Sequence, residues 1–436
     1  MPEEFDGLGW KILRSRDRRL RDAEPVTVIL SFFLKHDHIE VRTVEIDVLD
    51  LFCGCGGASL GFQMARTTSA RYRIIGGIDI DRHALATYAR NLSAPALNID
   101  LTRVAEKDFP SIMERTARVL TNPLFLIGCA PCQAFSSHTK GRHDPRERRN
   151  LLPKLAEIAS FLSPESIFIE NVPELLADRN WQFFLKARTT LEKSGYIVRA
   201  RIFNLAEFGL PQERFRAVIM AFKAPFQLPE GFLSPPEFRT VRQTISHLPP
   251  LRTGSHSPSD PMHITSKHRQ STIEILKQVP KDGGNRPEGV GPKCLDNARG
   301  RFGGYTDVYG RLAWDRPALT ITARCRTPSC GRFAHPEQNR GLSIREAALL
   351  QGFPKAFVCE GPFDDKFKQI GNAVPPLAAK YFGEHMLQEY LRIKCNRPTQ
   401  VSFDGDITES IGPGFSILIN GIKKRRATIG DATYCY

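Results

Sequence analysis

The chain is 436 residues long, 41% hydrophobic and 25% charged, the proportions of a globular protein with room for a large core and two domains. Its formal net charge of +14 points to a polyanionic partner, nucleic acid before others. The longest early apolar run, 26–34, is far too short to span a bilayer, no leader is expected, and ten scattered cysteines suit a reduced cytoplasmic protein better than a disulfide framework.

Residues 1–44 read as an extension. The stretch KILRSRDRRLR at 11–21 carries six basic residues, which suits either a helix on DNA phosphates or a solvated charge run. Two strands are expected at 26–34 and 39–44. From Val44 the pattern changes to strands alternating with helices: a strand at 45–52, a glycine-rich turn, a helix near 59–66, a strand at 72–78 and a helix at 82–91. A short segment ends at Asp100, a strand follows at 124–127, a helix at 152–161, a strand at 166–169, a helix at 181–193, and strands at 196–203 and 217–222. This rhythm predicts an α/β fold with a doubly wound, largely parallel sheet that binds ligands at the strand C-terminal ends. After residue 224 the rhythm stops. Residues 224–340 are rich in Pro, Gly, Arg and His and read as a second, smaller domain of irregular loops. A helix at 343–351 has Ser343 as its N-cap, and a long helix runs over 377–391. The final polar stretch holds the basic cluster Lys423, Lys424, Arg425, Arg426.

Several motifs carry chemistry. GCAPCQAFSSH at 128–138 follows a buried strand and puts the thiol of Cys132 on a turn stiffened by Pro131, where an α/β protein presents a nucleophile. The alternative is a small buried cysteine. The turn FCGCGG at 52–57 joins a strand to a helix, so backbone can approach an anionic or polar ligand at a helix N-terminus. Asp79 ends the next strand, where a ribose diol is bound in such folds, and Asp100 ends the third unit; together these strand ends describe an adenosine site. Glu170, in IENVP, faces the same rim as Cys132 and offers acid–base assistance to covalent attack. Arg214 and Arg216, in QERFR, alternate along an extended segment and could hold an anion or lower the pKa of a thiol. QIGNAVPP at 369–376 opens the long last helix.

The order of these motifs resembles the DNA cytosine-5 methyltransferase family. DLFCGCGG at 50–57 is similar to its first motif, GCAPCQAFS at 128–136 to its catalytic loop, ENV at 170–172 to its glutamate motif and QERFR at 212–216 to its arginine motif. RPALTIT at 316–322 with HPEQNRGLSIREAALLQGFP at 335–354, and QIGNAVPP at 369–376, resemble the last two. The resemblance implies an S-adenosylmethionine-dependent, Rossmann-like methyltransferase fold. It divides the chain into an extension (1–44), a catalytic cofactor-binding domain (45–234), a target-recognition domain (235–355), a return to the catalytic domain (356–391) and a second extension (392–436).

By the same resemblance Cys132 is the thiolate that adds to cytosine C6, Glu170 holds and protonates the N3 edge, and Arg214 and Arg216 steady the base carbonyl and the loop, with Pro131 and Gln133 shaping that loop. S-adenosyl-L-methionine is met by Phe52, Gly54 and Gly56 at its amino-acid end, Asp79 at the ribose, and Ile80, Asp100 and Leu101 at the adenine. Pro131, Leu151, Asn372 and Val374 close that site. Ile80 stands where the family often has an aromatic residue. The partner is double-stranded DNA, from which the base is flipped. Ser136 fills the gap, Arg142 lies in the closing loop, and Lys267, Arg269, Arg299 and Arg301 contact DNA. A bacterial restriction–modification enzyme, monomeric, with a separately acting endonuclease and a place near the nucleoid, is expected. A tRNA cytosine methyltransferase and an inactive DNA-binding regulator are the alternatives. A zinc site built on Cys129 and Cys132 lacks a second ligand pair.

Overall fold

The computed structural model describes residues 43–131, 151–296, 307–398 and 401–411. The two strands expected before Val44, the basic run at 11–21, Cys132, Gln133, Ser136, Arg142, Arg299, Arg301 and the cluster at 423–426 lie outside the described residues.

A seven-stranded sheet organises the described chain. Its strands are β1 (Val44–Leu51), β2 (Ala70–Asp79), β3 (Ala96–Asn98), β4 (Leu124–Gly128), β5 (Ser166–Asn171), β6 (Ile197–Asn204) and β8 (Phe215–Phe222), in the order β3-β2-β1-β4-β5-β8-β6. Alternation along β1 explains the layers: Ile46 and Val48 enter one core, Leu49 and Leu51 the other, because successive side chains leave opposite faces. The first face is covered by α1 (Gly57–Met64), α2 (Arg82–Leu92) and α10 (Pro376–Lys394), which contribute Phe62, Tyr88 and Phe382. The second is covered by α3 (Phe109–Glu114), α4 (Leu151–Leu162) and α5 (Asp178–Lys193), which contribute Phe109, Leu155 and Phe184. Each such side chain stabilises the fold by about 1.5–3 kcal/mol on burial.

The first five strands are parallel, as the rhythm predicts. The end of the sheet is not: β8 runs antiparallel to both β5 and β6, slotted between them. The segment from Asn204 to Phe215 is too short for the helical crossover that parallel strands require, so the chain turns back on itself.

Beyond β8 the chain forms short elements: β11 (Ala318–Leu319) pairs with β7 (Gln212–Glu213), which precedes β8, β9 (His256–Ser257) pairs with β10 (Asp260–Ile264), and α6 (Val241–Ile245), α7 (Gln270–Gln278) and α8 (Ile344–Leu350) pack around them. Their core runs from Val241 to Ile370 and takes in Cys55 of the glycine turn. Residues on both sides of 355, the boundary expected from sequence, share this core. Loops this long keep their shape because buried arginines hydrogen-bond backbone carbonyls. Arg311 donates to Val279, Leu276, His335 and Gln338. Arg340 makes a bidentate pair with Glu346, both distances 2.7 Å. Ser343 is the N-cap of α8, accepting from Glu346 N at 3.0 Å within a capping box.

Besides α3, α6 and α7, a fourth helix falls outside those expected. α9 (Phe363–Asn372) places Gly371 and Asn372 in its last turn, so the Gly-Asn pair closes α9 and does not open α10. Two acidic residues in its first turn, Asp364 and Asp365, suit a helix N-terminus. The C-terminal segment 401–411 meets the edge strand β6 and the turn after β5: Ile407 N donates to Ala200 O at 2.8 Å and Ile411 N to Leu176 O at 3.0 Å.

Candidate active site

The C-terminal ends of β1, β2, β4 and β5 share one rim, and each carries a segment singled out by sequence. After β1 the backbone enters left-handed conformations at Phe52 (φ 59°), Gly54 (φ 52°) and Gly56 (φ 87°). Glycine tolerates these; Phe52 bears strain. A Cβ on Gly54 would meet nothing within 4 Å, so the turn opens onto free space. Gly57 is different: its Cβ would lie 2.2 Å from Val374 O. Glycine there lets the 369–376 motif press against the start of α1, and Cys55 Sγ reaches Gln369 O at 3.6 Å. Val374 is buried and Asn372 exposed at this junction.

Asp79 ends β2 under the same turn. Its Oδ2 accepts from Gly54 N at 2.9 Å and its Oδ1 from Asp81 N at 2.9 Å. Burial raises its pKa, and the backbone donors of Asp81 and Gly54 oppose the rise. Each oxygen keeps a lone pair for a diol. Ile80 is 67% exposed beside it, an apolar surface available to a flat ligand. Asp100 turns its Oδ1 to Thr102 N and Oγ1 at 3.0 and 2.6 Å, so its carboxylate caps a turn. Leu101 and Leu151 are buried and Pro131 is exposed. An open left-handed turn, a diol-ready carboxylate and an exposed aliphatic side chain fit an adenosyl cofactor with an amino-acid end.

Next along the rim, Cys129 N donates to Leu51 O at 3.2 Å and Asn171 Nδ2 to Ala130 O at 3.2 Å. The backbone leading into Pro131 is thus fixed between β1 and the glutamate motif. Glu170 is 8% exposed, so it is no loose surface carboxylate. Arg216 Nε lies 2.8 Å from Glu170 Oε1, an ion pair whose geometry is off the hydrogen-bond axis, and Oε1 has no hydrogen-bond donor. An unsatisfied buried carboxylate oxygen costs free energy, and a ligand N–H would relieve it.

The two arginines of QERFR divide their work. Arg214 is 2% exposed and donates to Ile321 O at 3.0 Å and to Gly371 O and Ala373 O at 3.3 Å. Burial, with Arg216 adding, pushes its pKa well below the ordinary value, while Glu170 opposes. It joins three distant segments, whereas Arg216 faces Glu170. Burial also raises four thiols: Cys53 and Cys55 well above the ordinary range, Cys325 and Cys359 to about 12. None of these four is an activated nucleophile. Lys267 and Arg269 are exposed at the entry to α7. A cavity of about 300 Å³ is lined by residues including Asp282, Asp307, Asp315, Leu319 and Arg332.

The model of the C-5 cytosine-specific DNA methylases matches residues 46–388. The chain belongs to the C-5 cytosine-specific DNA methylases. It is therefore a transferase, a DNA cytosine-5-methyltransferase. A type II methylase of Herpetosiphon aurantiacus, M.HgiDII, is 33% identical over 338 residues, 75% of this chain and 91% of the relative. The type II methyltransferase M1.HphI of Haemophilus parahaemolyticus is 31% identical, covering 80% and 88%. Among solved structures, the Entamoeba histolytica methyltransferase EhMeth shares the fold with a TM-score of 0.53 at 18% identity, covering 80% of this chain and 99% of that one.

Sequence reasoning missed several groups that build the methylase site. Asn171, within ENV, ties the backbone leading into Pro131 to β5. Gln212 donates to Leu350 O at 2.8 Å and accepts from Ile321 N at 2.9 Å, joining three segments. Asp50 was counted as a strand residue, but a charged type before an apolar pair at a strand end was a usable signal.

Proposed function

We propose that the enzyme methylates C5 of a flipped-out cytosine within a specific duplex sequence, using S-adenosyl-L-methionine and a covalent bond between Cys132 and C6. The observation that carries this reading is the buried Glu170–Arg216 pair, with Oε1 free of donors, tied through Asn171 to the backbone before Pro131 and Cys132. When bound, the cofactor supplies an electrophilic methyl group. Phe52, Gly54 and Gly56 hold its amino-acid end, Asp79 its ribose, and Ile80, Asp100 and Leu101 its adenine, with Pro131, Leu151, Asn372 and Val374 around it. The Cys132 thiolate attacks C6 and moves electron density onto C5, which takes the methyl group; loss of the C5 proton to a base then expels the thiolate from C6 and restores the ring. Glu170 faces the base's N3 edge; entering the step as the neutral acid it donates its proton to N3 as the adduct forms, and the carboxylate left behind is the one Arg216 pairs with. Arg216 orients Glu170, and Arg214 keeps the arginine motif, the 321 segment and the 371–373 turn together. Gln133 belongs to the closing loop.

Unstacking the base costs a few kcal/mol, offset by phosphate contacts. Arg142, Lys267, Arg269, Arg299 and Arg301 make these or reach base edges, and Ser136 fills the vacated stack. Relatives named type II methylases support a restriction–modification role with a separate endonuclease, for a monomer working at cytoplasmic DNA. No helix among the described residues is long and apolar enough to cross a membrane. The test is transfer of labelled methyl groups to duplex DNA and to tRNA. Incorporation into DNA, abolished by Cys132→Ala and trapped on 5-fluorocytosine DNA by the unaltered protein alone, supports the reading. Incorporation into tRNA alone, or trapping that persists in Cys132→Ala, overturns it.

A further inference from the structure

Asp50, at the end of β1, is fully buried. Its Oδ2 accepts from Ser59 Oγ at 2.6 Å, and Ser59 Oγ lies 3.0 Å from the Tyr88 hydroxyl. Its Oδ1 has no hydrogen-bond partner. A carboxyl group so placed is held only by the hydroxyl and N–H of one residue, Ser59, both uncharged, where a stable buried carboxylate needs several donors. An asparagine could accept from Ser59 without the charge.

The location is more informative. Asp50 lies at the end of β1, where the chain enters the turn that opens at Gly54, and the titratable groups whose charge couples to it belong to that turn and its neighbours: Asp79 from β2, Cys53 from the turn and Tyr88 from α2. Its register partners in the sheet, Gly77 and Ile127, bring no charge. Burial keeps Cys53 and Tyr88 protonated. Asp79 is thus the charge Asp50 answers to. Burial first, and Asp79 in addition, push Asp50 up to about 7, with the Ser59 hydroxyl and N–H opposing. Around neutral pH this carboxyl stands between its two protonation states, and any charge brought to the turn tips it.

The methyl donor carries one more positive charge than its demethylated product, since a sulfonium becomes a thioether. We propose that Asp50 is a proton-exchanging counter-charge of the cofactor site, ionising as the sulfonium donor binds and regaining a proton from solvent once the thioether product has formed. The inference rests on S-adenosylmethionine being the cofactor. It makes discrimination between donor and product pH-dependent: as pH rises and Asp50 ionises, the donor gains on the product.

The test is calorimetric titration of the full-length, DNA-free protein at pH 7 in buffers of contrasting ionisation enthalpy. S-adenosylmethionine and S-adenosylhomocysteine are the two ligands. The expected result is more proton release with the donor than with the product, by up to about half a proton, since a group titrating near 7 is half protonated there. Asp50→Asn should bind both ligands with equal proton counts. Should that variant fail to fold, Ser59→Ala removes an opposing donor and should move the pH of greatest difference upward. Equal counts in the unaltered protein, or an undiminished difference in Asp50→Asn, overturn the proposal. A protein that binds neither ligand overturns the cofactor assignment itself.

Discussion

Asp47 and Asp50 lie three residues apart on one strand, and their surroundings drive them in opposite directions. Asp47 accepts from Arg73 Nε and Asn122 Nδ2 on Oδ1 at 2.9 and 3.0 Å, and from Arg118 and Val119 N on Oδ2 at 2.9 Å each. Burial alone would raise its pKa, but these donors together lower it. Its stabilisation is therefore present above the unfolded carboxylate pKa and is lost as pH falls through the lowered value. Asp47→Ala strands Arg73 and Arg118 and should cost about 3–5 kcal/mol in urea unfolding at pH 7; a loss below about 1 kcal/mol would show that the hub does not hold the fold. Asp50 has the reverse sign. Its pKa is raised to about 7, so between the unfolded value and 7 the native state binds more protons, and stability falls as pH rises. Asp50→Asn removes that slope. Its advantage over the unaltered protein should be absent near pH 4, grow through pH 7 and level off at a few kcal/mol above it. Denaturant midpoints across pH would check this, and a flat difference would contradict it. Local sequence could not separate the two residues, because their partners lie up to 75 positions away.

At the scale of elements, the strands and helices of residues 45–222 were legible because hydrophobic period and length agree there, and the antiparallel turn of β8 was not, because it depends on connection length and on which gap remains in the sheet. The segment 401–411 was also illegible: it forms no repeat of its own and is defined by the edge it covers. Arg199 Nε pairs with Asp406 at 2.6 Å, both nearly buried, and donates to Ser402 O, while its guanidinium lies 4.8 Å from the Phe403 ring centroid. Ile407 and Ile411 pack on the second core. Truncation after residue 398 therefore removes the partner of a buried cation and uncovers the backbone of an edge strand. It should lower stability by about 3–5 kcal/mol, with concentration-dependent self-association in light scattering. Arg199→Met in the full chain, which removes the charge along with its partner's role, should cost less than truncation. A truncated chain as stable and monodisperse as the full one would show that the segment merely lies on the surface.

For the molecule as a whole, the order of motifs made the site legible and the net charge agreed with a DNA substrate, but the charge did not say which cations are free to act. Arg214, Arg311 and Arg340 are almost wholly buried, and Arg199, Arg286 and Arg345 nearly so. Arg340, Arg345 and Arg286 are matched to Glu346, Asp260 and Asp296. These six, of 61 Lys and Arg, serve the interior, as donors to carbonyls and carboxylates that irregular loops would otherwise leave unpaired. DNA must be met by cations at the surface, and sequence gave no way to tell these from the buried ones, since both kinds occur among Gly and Pro without periodicity. Lys267 and Arg269 are exposed at the start of α7. Each phosphate neutralised contributes about 0.9 to the slope of log affinity against log salt. If both side chains sit on phosphates, Lys267→Ala with Arg269→Ala should lower that slope by about 1.8, equally for specific and nonspecific duplexes, and leave kcat at saturating DNA unchanged. If instead they read base edges, affinity should fall for the recognition sequence alone and the slope should hold. An unchanged slope and unchanged affinity on both duplexes would remove this face of α7 from the DNA interface.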